Sequence, residues 1–382
     1  MRRLLLLAAG LATVGIWLVV SRPARAPQAK TAHLRLGAAP EVAFARVTEP
    51  RSFRLPEDHG PHFDYETEWW YYTGNLQTAD GRRFGFQLTF FRRGLLPEPP
   101  PATGLRANQI HFAHFALTDV AAGRHRFDER FSRGAAGLAG ASGAPFRLWL
   151  EDWSAEATNA DGSAVRLRAR ADDIVLDLQL EATKPLVAHG DRGLSPKSDA
   201  PGNASYYVGY TRMRARGRLA AGGAPEAVAG EAWFDHEWST SALGPKAVGW
   251  DWWSLQLSDG RELMFFLIRR GDGSHEAASG GTLVRADGTT RRLGPDDVRV
   301  EALDFWRSPE TGARYPARWR LTVPGEELVM DVVPLLAAQE MRTSFTYWEG
   351  ATQLSGTSRG TPIQGQGYVE LTGYARSMQG VF

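Results

Sequence analysis

The stretch Glu231–Arg270, EAWFDHEWSTSALGPKAVGWDWWSLQLSDGRELMFFLIRR, decides how the chain is read. It carries five of the thirteen Trp residues, and Asp-His-Glu sits inside its aromatic run. Read as a strand, it places Trp233, Asp235 and Glu237 on one face and Phe234, His236 and Trp238 on the other, because strand side chains alternate. Trp250, Asp251, Trp252 and Trp253 follow a short polar loop, and an Asp259-Gly260 turn leads into Leu263–Ile268. Carboxylates among indoles suit an apolar pocket with one acidic group. They also suit an ordinary β core with a paired charge.

Outward from this stretch the same texture continues. Tyr65–Tyr72 is dense in aromatic and β-branched residues, and Phe84, Phe86, Leu88 and Phe90 alternate beyond an Asp80-Gly81 turn, which predicts a hairpin. Five Asp-Gly pairs punctuate the chain and no segment shows a long helical repeat, so the expectation is all-β. Glu68-Trp69-Trp70, Asp80-Gly81-Arg82 and Arg92-Arg93 recur as Asp251-Trp252-Trp253, Asp259-Gly260-Arg261 and Arg269-Arg270. That echo predicts two related β domains, and eight to ten strands in each would enclose a small-ligand cavity. Gly, Ala and Pro thicken at 220–225, which places the expected boundary between domains at 51–222 and 223–382.

The 382 residues suffice for two cores, and the formal net charge of +1 gives no electrostatic case for nucleic acid. Absence of Cys excludes disulfides, thiol nucleophiles and zinc-thiolate sites. Arg2 and Arg3 before an apolar run at residues 4–20, with Ala24-Arg25-Ala26 after it, read as an export signal over 1–26. A tether at 27–50 follows. The expected location is periplasmic or secreted; the alternative is an uncleaved anchor in the inner membrane with the domains outside the cytoplasm.

The words EWWYYTG, FAHFALTD, YYVGYTRM, WFDHEWS and GYVELTGY resemble the AttH/carotenoid 1,2-hydratase family of tandem lipocalin-like proteins, from about residue 53 to the C-terminus. The resemblance implies two lipocalin-like antiparallel β-barrels. It implies a lipophilic ligand, isoprenoid or lipid, and in the hydratases water added to a carbon-carbon double bond without a cofactor. Other members are described as secreted hydrolases. The hydratases' proton donor is the Asp of a Tyr-x-Asp-His motif; Asp235 occupies that place, with Trp233 where the Tyr would stand and Glu237 where Asn would follow.

Protonating an alkene needs a neutral carboxylic acid, which burial and a second carboxylate both favour. The expected catalytic set is therefore Asp235 as donor, with His236 and Glu237 modulating it. Trp233, Trp250, Trp252 and Trp253 would shape the substrate and face a carbocation. Glu68, Trp70 and Tyr72 form a similar stripe in the first domain, and Tyr207 and Trp348 complete the expected ligand-binding residues. No metal is expected: His111 and His114, three apart, fall on opposite strand faces. The competing reading is a lipophile carrier without chemistry, serving an envelope transporter. Gly356-Thr357-Ser358-Arg359-Gly360 matches a nucleophile-elbow pattern, but no helix is expected after it, so it reads as a loop between strands.

Overall fold

The computed structural model describes residues 43–100, 107–241 and 243–381. The expected export signal lies outside these residues, as does most of the tether. Among the described residues no helix is long and apolar enough to cross a membrane.

The chain is all-β, folded into two curled antiparallel sheets of thirteen and ten strands that belong to one compact unit. In the first sheet, Thr67–Thr78 pairs on one side with Arg83–Gly94 and on the other with Glu226–Ser239. The second sheet repeats the plan: Ala247–Leu257 pairs with Glu262–Arg270 and with Thr361–Thr372. Each sheet thus joins its first long strand to its last. Among the described residues, Arg124–Ser132 and Ala139–Gly143 remain the outermost strands of the first sheet, and Thr290–Leu293 and Arg299–Arg307 those of the second.

All five Asp-Gly glycines have positive φ, between 76° and 91°. Four of them turn hairpins of the sheets at positions 81, 162, 260 and 288. That left-handed backbone strongly favours Gly, which explains why the dipeptide marks the turns so well.

The internal echo has a physical basis. Trp70 fills the core of the first sheet and Trp253 that of the second. Beside each core, a buried carboxylate meets an arginine: Glu68 Oε2 with Arg92 Nε at 2.8 Å, and Asp251 Oδ1 with Arg269 Nε at 2.8 Å. Trp69 and Trp252, one residue earlier, point to the opposite face, where the two sheets meet.

Two sequence expectations change. The Gly- and Pro-containing 222–225 stretch is a hairpin turn between Ala204–Ala221 and Glu226–Ser239, both in the first sheet. The crossing between sheets therefore falls between Ser239 and Ala247, not at 222/223. The interior of each sheet is also filled by its own side chains, as small barrels usually are. The hollow lies between the sheets instead. Gly356–Ser358 ends a strand whose hairpin turn is Arg359-Gly360, so no nucleophile elbow forms.

Candidate functional site

The outer faces of the two sheets meet around a small hollow, with about 70 Å³ open to the centre of a water molecule. From the first sheet come Trp69, Tyr71, Tyr207, Asp235 and Glu237; from the second come Trp250, Trp252, Phe266, Glu349 and Glu370. Tyr71 and Trp252 meet edge to face with centroids 5.3 Å apart. Aromatic rings provide a large, stiff apolar wall for a bound lipophile.

Asp235 is buried, 3% exposed. Tyr207 Oη donates to its Oδ2 at 2.6 Å and Trp233 Nε1 donates to its Oδ1 at 2.8 Å. Burial, with the neighbouring Glu237 carboxylate, pushes the Asp235 carboxyl well above the usual carboxylate range, against those two donations and the charge of Lys197. Within ion-pair distance it has His189 Nε2, 3.9 Å from Oδ1. That imidazole is no cation, because burial and Lys197 hold it down to about 3.

The carboxyl has its place because position 209 is glycine. Gly209 is the register partner of Asp235 on the neighbouring strand. A Cβ there would stand 2.4 Å from Asp235 Oδ1 and 3.3 Å from His189 Nε2.

Glu237 plays a different part. It pairs with Lys197 Nζ at 2.8 Å and accepts a hydrogen bond from Ser205 Oγ. Opposite, Glu349 accepts from Tyr71 Oη at 2.7 Å and Glu370 from Trp250 Nε1 at 2.8 Å. Burial and Glu370 push Glu349 well above its ordinary value. Burial and Glu237 push Glu370 up to about 7, against Trp250 and Lys197.

Of the residues expected from the sequence, the structure brings Asp235, Glu237, Tyr207, Trp250 and Trp252 to the hollow, with Trp233 behind Asp235 as its donor. Several others expected at the site face elsewhere. His236, Glu68, Trp70 and Tyr72 share the opposite face of the same strands, turned into the first sheet's interior. Trp253 and Trp348 fill the second sheet's core. Parity is the reason: each residue stands an odd number of positions from a neighbour that borders the hollow.

His62, Glu68 and His236 offer ligand atoms within 4.8 Å of one another, the spacing of a metal centre. Here Arg92 already supplies the positive charge, at 2.8 Å from Glu68. Burial would raise the Glu68 carboxyl, but Arg92 and the two histidines hold it well below its usual range. The cluster is an ion-paired knot in the first sheet's interior, not an open metal site.

Lys197, Tyr71, Glu370, His189 and Gly209 escaped the sequence reading. Glu370 stands in the quoted GYVELTGY word, and alternation from Tyr368, also in the sheet interface, would have found it.

A sequence model of the AttH-like family matches residues 46–374. Among solved structures, an AttH protein from Nitrosomonas europaea is 35% identical, with a TM-score of 0.77, covering 87% of this chain and 100% of its own. Kievitone hydratase from Nectria haematococca is 16% identical with a TM-score of 0.67, covering 88% of this chain and 97% of its own; it shares the fold. Among curated proteins none matches. The sheet plan, the family match and the Nitrosomonas relative together place the chain in the AttH-like family.

Proposed function

We propose that the protein is a cofactor-free hydratase acting on a lipophilic, isoprenoid-like molecule held between its two sheets, with Asp235 as general acid. The observation that carries this reading is a buried carboxyl bordering an aromatic hollow, pushed well above the usual carboxylate range by burial, with no arginine paired to it among the described residues. The π electrons of the double bond take the Asp235 proton, leaving the cation on the more substituted carbon. Water then adds through oxygen, and its surplus proton returns to the Asp235 carboxylate. The indoles of Trp250 and Trp252 stabilise the cation by about 0.5–2 kcal/mol per contact. General acid catalysis of this kind contributes about 100- to 10,000-fold. The hydratase name of the fungal structural neighbour is consistent with this reading and concerns that protein alone.

We place the folded part outside the cytoplasm on the strength of Arg2, Arg3 and the apolar run behind them. Cell fractionation with a mass measurement of the mature N-terminus tests this, and full-length protein in the cytosol contradicts it.

The functional test is incubation with acyclic isoprenoids, read by mass spectrometry. A product heavier by one water, formed by the native chain and not by Asp235→Asn, is the expected result. A ligand bound and recovered unchanged makes the protein a carrier. Cleaved esters would make it a hydrolase.

A further inference from the structure

Two acids stand together on the wall that faces Asp235. Glu349 and Glu370 are register partners on adjacent antiparallel strands of the second sheet, so their side chains lie side by side on one face. Both border the hollow. Glu349 is completely buried; its Oε2 accepts from Tyr71, while Oε1 has no hydrogen-bond partner. The lining holds four carboxyls, Asp235, Glu237, Glu349 and Glu370, against the single ammonium of Lys197, which is already paired with Glu237.

A purely neutral lipophile leaves this arrangement without a purpose. Two buried carboxyls side by side resist double ionisation, and Lys197, already paired with Glu237, does not offset their burial. Aromatic rings, whose faces attract positive charge, make up most of the rest of the wall. We propose that the hollow receives lipophilic cations: an apolar chain bearing a tertiary or quaternary ammonium head, the head docked against Glu349 and Glu370. This rests on the reading of the hollow as a lipophile site and adds the charge of its occupant.

The head displaces a proton, since the carboxyl pair ionises to receive it. The groups facing Glu370 are Glu349 across the ladder, Trp250 on the neighbouring strand, Tyr71 from the first sheet, Tyr347 and Tyr368 beside the pair, and the Glu237–Lys197 pair. Of this cluster, Glu370 is the group that changes charge near neutrality, held up to about 7. Affinity for a permanent cation therefore rises with pH through that value.

Isothermal titration calorimetry of the full chain with decyltrimethylammonium and with decanol tests the inference. The expected result is a preference of about tenfold or more for the cation at pH 8. That preference shrinks below pH 6, and proton release near pH 7 appears in buffers of different ionisation heat. Glu349→Gln and Glu370→Gln, checked by their melting transitions, should each cut the preference to about threefold or less. Decanol binding as tightly as the cation at pH 8 overturns the inference and leaves the lipophile reading standing. Binding of neither probe overturns both. Preference retained in both Gln variants, or no proton release, also overturns it.

Discussion

Tyr207 Oη donates to Asp235 Oδ2 across 2.6 Å, and Trp252 Nε1 reaches the same tyrosine oxygen at 3.1 Å. The acid of the first sheet is thus tied through one phenol to an indole of the second. Tyr207 favours the ionised form of Asp235, so its loss leaves burial opposed only by Trp233 and Lys197. Tyr207→Phe should move the alkaline limb of the kcat/KM profile upward by about one pH unit. A limb that stays in place would mean another group titrates.

Gly209→Ala tests the seat of the same carboxyl. The added Cβ meets Asp235 Oδ1 at 2.4 Å and the Phe234 carbonyl oxygen at 2.6 Å, so one of them must shift. A displaced acid should cost about 100-fold in turnover, and the overpacking about 1–3 kcal/mol of stability. Kinetics alongside urea denaturation separate the two effects. Full turnover in a destabilised variant would show that the carboxyl's position is not critical.

How far the sequence reveals this arrangement depends on the range of the interactions. The hairpins are legible because a two-residue turn needs positive φ, and Asp-Gly supplies it at Gly81 and Gly260. The pairing of Thr67–Thr78 with Glu226–Ser239 is not legible, since register across the 147 residues from 79 to 225 leaves no local mark. Face assignment fails for a related reason. Where one side of a strand packs into its own sheet and the other into the neighbouring sheet, both are apolar, and alternation no longer separates inside from outside. Trp69 and Trp70 look alike in the sequence, yet only Trp69 borders the hollow. Asp235 and Tyr207 were accessible because each sits in an aromatic word; Lys197 and His189 lie in polar stretches that resemble ordinary loops.

Glu68 belongs to the first sheet's interior, so its loss should act on stability and not on the hollow. Glu68→Gln leaves Arg92, itself fully buried, short of its counter-ion. The loss should be about 3–5 kcal/mol, with ligand binding in the hollow unchanged when measured on the folded fraction. Because Glu68's folded pKa lies well below its ordinary value, the native pair contributes fully above about pH 4.5 and is lost as pH falls through the folded value. The cost of the substitution should fade in the same direction. Chemical denaturation at several pH values checks this, and weakened ligand binding would return Glu68 to the site.

Glu370 should behave in the opposite sense. Its folded pKa of about 7 lies above the ordinary 4.5, so the native state keeps a proton that the unfolded chain releases. Stability from this group is fully present below about pH 4.5 and is lost as pH rises toward 7, by up to about 3 kcal/mol. Glu370→Gln removes that dependence. Relative to the native chain, the variant should gain stability between pH 4.5 and pH 8, seen as a rising difference in urea midpoint. A difference independent of pH would place the Glu370 carboxyl in contact with solvent.

The protonation state of Asp235 is what the whole reading stands on. Infrared difference spectroscopy of the native chain against Asp235→Asn observes it directly. A protonated-carboxyl C=O band that belongs to Asp235 and persists at a pH well above the ordinary carboxylate range is the predicted result. Carboxylate stretching bands in its place, at that pH, would contradict the account.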